Sequence, residues 1–208
     1  MSAGRRSSYA RRVFINCPFD QAYKPLFDAV LFAVEQLGFE ARHALWDDSE
    51  AIRLQRIGQE IEKSKFSIHD ISRVALSGNL QLPRFNMPFE AGMAYERHRQ
   101  TRAHQKHHVL LVDRKPYRYQ ASISDLAGLD FGIHHNKAEE IVACVRRFLR
   151  NKSGMDMMGE TKVMRRFSIF QLQLLKAAHA KHLSVPEVRS WKYVNDLQRL
   201  MQAWIVDN

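Results

Sequence analysis

The run Arg84-Phe85-Asn86-Met87-Pro88-Phe89-Glu90-Ala91-Gly92-Met93-Ala94-Tyr95-Glu96 sets a carboxylate at the start of a helix, behind a polar loop. Asn86 is placed to cap that helix. Pro88 suits its first turn, where a missing N–H has no partner to lose. Glu90 then falls in the first turn, at the mouth of the preceding loop, and Ala91, Gly92 and Ala94 let the helix lie close on a sheet. A carboxylate held there can stabilise positive charge developing on a sugar ring, or capture it covalently. The competing role is local: a carboxylate at a helix start complements the helix dipole, worth ~0.3–1 kcal/mol.

The elements that must position this group follow from periodicity. Val13-Phe14-Ile15-Asn16-Cys17 is a β-rich run closed by Pro18. Residues 23–37 form a predicted helix, with Leu26, Phe27, Val30, Ala33, Val34 and Leu37 three and four apart and Gly38 ending it. A weaker strand is expected at 39–43, an amphipathic helix at 50–63 and a third strand at 66–71. The loop 72–84 has the length of a functional loop. The Glu90 helix runs to about residue 99. The clearest apolar strand follows at 108–112, then helical character at 119–127, a fifth strand at 129–133 and a helix at 137–149. Strands alternating with helices require crossovers and a parallel sheet. The expected class is α/β: an open parallel sheet of about five strands, a flavodoxin-like three-layer sandwich, with a C-terminal α-helical extension. The division expected is a disordered basic leader at 1–11, the α/β domain at 12–150 and the helical extension at 151–208. Ser184-Val185-Pro186-Glu187 marks a helix start within the extension. The apolar stripes of 160–208 suit helix core or a seam between copies of the chain.

Ligands of open parallel sheets bind beyond the carboxyl ends of the strands, where strand order reverses. The first strand delivers Asn16, Cys17, Pro18 and Phe19 to such an end. The third delivers Asp70 and Ser72, with His69 read as alternating away. Asp47 and Asp48 follow the second strand, and Arg53 lies one turn into the next helix. Each has a plainer reading: Asp70 as a local loop cap, Asp47-Asp48-Ser49 as a helix cap, Arg53 as a solvated or salt-bridged face residue.

These pieces together resemble the nucleoside 2-deoxyribosyltransferase-like superfamily, to which TIR domains are structurally related, in a divergent branch. The carriers are Val13–Asp20 with its Pro-Phe loop, Ser67–Ser72 ending past an aspartate, and Phe89-Glu90-Ala91-Gly92-Met93-Ala94, similar to the Glu-x-Gly-x-Ala helix of that family. The likeness covers residues 12–150. Arg84-Phe85-Asn86, after a long loop, replaces the family's Gly-Thr-type approach to the glutamate. The resemblance implies cleavage or transfer at the N-glycosidic bond of a nucleoside, nucleotide or NAD, with Glu90 as the catalytic carboxylate. It implies that Asn16 and Asn86 orient the ribose, Phe19 stacks on the base and Asp70 binds the base or a sugar hydroxyl, with Pro18 and Ser72 in the same substrate-binding set. Asp47 belongs to the same binding set, and Arg53, or free backbone N–H groups at helix starts, would hold the phosphates of a nucleotide. No cofactor is implied, NAD entering as substrate. A prokaryotic antiviral defence role is an association of such branches. The alternative function is a catalytically silent nucleotide-sensing module that signals through the helical tail.

Composition bounds these readings. The chain of 208 residues carries 32 Lys and Arg against 22 Asp and Glu, a formal charge of +10. Such a balance draws anions, yet no basic block interleaves with aromatics as a base-stacking platform does, so nucleic acid is not the favoured partner. No apolar window approaches a membrane span, and Met1–Arg6 is not followed by a signal-peptide core. Two cysteines, Cys17 and Cys144, make neither a disulfide framework nor a metal cluster. A cytoplasmic protein without a metal is expected. His98, His104, His107 and His108, like His134-His135, read as solvated basic turns and not as ligands.

Overall fold

The computed structural model describes residues 8–45, 53–74, 76–77, 82–83, 85–102, 105–121, 123–126, 131–180 and 182–208. The chain divides into two compact units. One comprises residues 1–18 and 39–136, and the other 19–38 and 137–208. The boundary expected at residue 150 thus falls inside the second unit.

The first unit holds the sheet. β1 (Arg12–Asn16), β2 (Glu40–Arg42), β3 (Phe66–Asp70), β6 (His108–Asp113) and β7 (Gly132–Ile133) are all parallel, in the order β2-β1-β3-β6-β7. A separate antiparallel pair, β4 (Leu76–Ser77) and β5 (Leu82–Pro83), occupies part of the expected 72–84 loop. Parallel strands need crossovers, and the intervening chain supplies them. The fold class is therefore α/β with an open, all-parallel, five-stranded sheet in the doubly wound order.

α2 (Arg53–Lys63) and α3 (Asn86–Gln100) pack against one face of this sheet. Phe14, Ala44, Ile57, Ile61 and Ala94 form one buried cluster there. Ile71, Met87, Ala91, Leu111 and Tyr119 form a second. Ion pairs fix the edge strand: Arg12 Nε donates to Glu40 at 3.1 Å, and Arg42 forks onto Glu60 at 2.9 and 3.1 Å. Two sequence expectations change here. Ser8–Arg11, assigned to a disordered leader, forms a 3-10 turn tied down by Lys65 N–H donating to the Tyr9 carbonyl at 3.2 Å. The helix expected over 119–127 resolves into two 3-10 turns, Arg118–Ala121 and Ser124–Leu126.

Gly92 also departs from its expected role. A Cβ built on it meets no atom within 4 Å, whereas Ala91 and Ala94 are buried on the sheet side of α3. A helical glycine with open space costs stability without a packing return. Gly92→Ala is expected to stabilise the protein by about 0.5–1 kcal/mol, read as a raised melting temperature.

The second unit is helical: α1 (Lys24–Gln36), α4 (Ala138–Ser153), α5 (Glu160–His179), α6 (Val185–Val188) and α7 (Val194–Asp207). Its core is aromatic, with Phe32 against Phe167, Phe170 and Trp204 at 5.2, 5.6 and 5.9 Å between ring centroids. Ser184 and Glu187 close the capping box that the sequence announced. Among the described residues, no helix is long and apolar enough to cross a membrane.

Candidate functional site

Strand order reverses between β1 and β3, which makes their carboxyl ends the switch point where open sheets take ligands. Asn16 ends β1 and is the register partner of His69 on β3. Side chains alternate along a strand, so register partners on parallel neighbours share a face. That face is the one α3 covers, and α3 brings Glu90 to the pair.

The three side chains form one buried polar group, Asn16 and His69 each 1% exposed and Glu90 4%. Asn16 Nδ2 donates to Glu90 Oε2 at 2.8 Å and lies 3.2 Å from His69 Nδ1. Burial pushes the Glu90 carboxyl above its ordinary value, opposed by the Asn16 hydrogen bond and by the charge of Arg53. Burial also drives the His69 imidazole down to about 3, with the His107 charge adding to it, so His69 is neutral at physiological pH. With Asn16 presenting N–H groups, neutral His69 accepts at Nδ1 and carries its proton on Nε2. Asn16 Oδ1 and His69 Nε2 have no hydrogen-bond partner among the described residues. A buried donor and a buried acceptor left over beside a carboxylate are what a polar ligand would satisfy.

The structure brings Asn16, Glu90 and Arg53 into one electrostatic neighbourhood, with Arg53 exposed at the first residue of α2. Pro18 is buried just past the end of β1. His69, read from the sequence as alternating away, is instead the residue that shares the Glu90 face. Asp70 takes the opposite alternation, approaching His134 Nε2 at 3.1 Å and accepting the Ser72 N–H at 2.7 Å. Ser72 is buried, and its hydroxyl has no partner among the described residues. Phe19 belongs to the second unit, where it meets Trp191 edge-on at 5.1 Å. Asn86 is exposed and is the first residue of α3, not its cap. Phe85 holds the cap position without a side-chain bond, which moves Glu90 beyond the first turn. Asp47 lies outside the described residues.

Other polar groups at the sheet ends are structural. Arg118 donates to Asp113 Oδ1 at 2.6 Å and to the Ile71 carbonyl at 2.9 Å, tying the end of β3 to that of β6. His107, expected in a solvated turn, is fully buried between the Ser64 carbonyl at 2.8 Å and Ser67 Oγ at 2.9 Å, and burial drives its imidazole down to about 4. His134 is likewise buried, its Nδ1 accepting the Asn136 N–H at 3.0 Å. Among the described residues, no three His, Cys, Asp or Glu side chains are placed to hold a metal ion. Cys17 and Cys144 are both buried, and neither is in a disulfide. A groove of about 340 Å³ runs along α3 past Phe85, Phe89, Gly92 and Tyr95, and Glu90 does not line it.

The fold and site define an open α/β protein with a buried carboxylate, amide and imidazole at the β1/β3 switch point. Compared with known proteins, the chain matches no family model, no curated protein and no solved structure.

Proposed function

We propose that this protein cleaves or transfers at the N-glycosidic bond of a nucleoside, nucleotide or NAD, with Glu90 as the reacting carboxylate. The observation that carries the reading is Glu90 itself. It is buried at the strand-order reversal and held through one oxygen by Asn16, and among the described residues no cation is hydrogen-bonded to it. In the reaction the C1–N bond breaks and its electron pair leaves with the base. The base of a nucleoside takes up a proton, whereas nicotinamide leaves NAD as the neutral molecule and the proton from the attacking water goes to solvent. The positive charge left on C1 meets the Glu90 carboxylate, which stabilises it or bonds to it. Water then delivers hydroxide to C1 and the sugar is freed, or a second base takes its place. Arg53, at the start of α2 and close enough to act on Glu90, suits an anionic group on the substrate such as a phosphate.

The test is a product assay by mass spectrometry with NAD, nucleosides and nucleotides, beside Glu90→Gln. Free base from the wild-type protein and none from the variant is the expected result. A nucleotide that raises the melting temperature without any product replaces this reading with the silent sensor.

A further inference from the structure

Asn16 has one amide, and both neighbours claim the same end of it. Its Nδ2 lies 2.8 Å from Glu90 Oε2 and 3.2 Å from His69 Nδ1. Rotating the amide by half a turn would put Oδ1 against the carboxylate and against the same ring nitrogen. That orientation is tolerable only if Glu90 is protonated and His69 carries its proton on Nδ1, so that both neighbours donate. The group has two self-consistent hydrogen-bond arrangements at the amide; a carboxyl protonated on Oε1 still accepts at Oε2, so protonation permits the second arrangement without forcing it. In the first, Glu90 is ionised, Asn16 donates twice and His69 is protonated on Nε2. In the second, Glu90 has gained one proton, Asn16 accepts twice and the His69 proton has moved from Nε2 to Nδ1.

We infer that His69 is a positioning residue for Glu90, acting through Asn16: its Nδ1 lone pair holds the amide with the N–H₂ end toward the carboxylate. The arrangement is tight enough to enforce this. Asn16 and His69 are register partners on hydrogen-bonded strands, and the His69 ring is held edge-on to Phe14 at 6.0 Å. Among the described residues, the charged or titratable groups acting on the cluster are Arg53 from α2, whose charge acts on Glu90, and His107 from the approach to β6, whose charge acts on His69. The assignment to catalysis rests on the reading of Glu90 given above. The hydrogen-bond chain does not, and it is measured separately.

Nitrogen-15 NMR of the histidine rings and carbon-13 NMR of the Glu90 carboxyl, both across pH, provide that measurement. The expected result is a bare Nδ1 and a protonated Nε2 on His69 above the Glu90 midpoint. In His69→Leu, which lacks the lone pair, the Glu90 midpoint moves upward. In His69→Gln, whose side-chain carbonyl restores an acceptor, it returns toward the wild-type value. If the product assay succeeds, kcat falls ~10–100-fold in His69→Leu, the loss typical when an outer partner of a reacting ligand is removed, and its acid limb shifts with the Glu90 midpoint. A wild-type His69 protonated on Nδ1 above the Glu90 midpoint overturns the inference, even if His69→Leu does not fold. So does an unmoved Glu90 midpoint in folded His69→Leu. Neither result touches the reading of Glu90 as the reacting group.

Discussion

Glu90→Gln is expected to abolish turnover while making the protein more stable. Gln has the same shape and keeps a carbonyl for the Asn16 N–H, so the 2.8 Å contact survives. It cannot carry the negative charge that the C1 cation needs. The loss expected for removing such a group is ~10⁴-fold or more in kcat. The stability gain follows from linkage. Burial raises the Glu90 pKa in the folded protein, so the folded state favours the protonated form. That contribution is fully present below the ordinary carboxylate value and is lost as pH rises through the raised one. At neutral pH the ionised group is a cost, and Gln removes it. Melting curves at pH 7.5 should place the variant above wild type, with the two converging at low pH. Wild-type activity should rise with pH through the same raised midpoint, because the ionised carboxylate is the reactive form. A less stable variant at neutral pH would mean that Glu90 is a structural anchor. Stability withheld by a functional carboxylate is the pattern expected of an active site.

The second large effect lies in the helical unit. Lys24 and Asp28, one turn apart on α1, are 2% and 9% exposed and paired to each other. The Lys24 ammonium also sits 5.4 Å from the centre of the Trp191 ring. Burial pushes Asp28 up to about 6 even with Lys24 opposing it. Lys24→Met removes the paired cation, leaves the buried carboxylate with the charge of Arg189 opposing its burial, and should cost about 3–5 kcal/mol at neutral pH. The loss shrinks in acid, because Asp28 then takes a proton and no longer needs a partner. Lys24→Met with Asp28→Leu removes both charges and should recover most of the loss. In the wild type the sign is set by the raised pKa: the Asp28 contribution is present below the ordinary value and fades as pH rises through about 6. Denaturant titrations of the three proteins at pH 5 and pH 7.5 read all of this. Equal costs for Lys24→Met at both pH values would contradict it.

Much of the architecture is legible locally. Val13, Phe14 and Ile15 or Leu110, Leu111 and Val112 are β-rich runs too short for helices, and the helices between them imply parallel order. The helices of the second unit show in their three-and-four spacing, and α6 shows in its capping box. What joins them does not. Phe32 meets Phe167, Phe170 and Trp204 across more than a hundred residues, a pairing that periodicity cannot specify. That is why α1 and α4 group with the tail although they read as crossovers of the sheet.

The site was half legible. Asn16 and Glu90 could be placed at element ends from their flanking residues alone. His69 could not, because alternation says that His69 and Asp70 point apart without saying which face α3 will cover. The register of Asn16 with His69 decides it, and register is a property of the paired strands. The start of α3 misled for a similar reason: Asn86 has the chemistry of a cap, yet the helix begins one residue earlier than that role allows. Gly92 looked like a packing device, and only the space around it shows otherwise.

The most direct test of the central claim follows the oxygen. The best substrate of the product assay is turned over in oxygen-18 water by wild type and by Glu90→Gln, and each product is weighed. Label on the freed sugar and none on the base, with nothing from the variant, is the predicted result. When a second base is supplied, its unlabelled glycoside is expected instead. Label on phosphate or on the base would place the broken bond elsewhere and contradict the account, as would equal turnover by the variant.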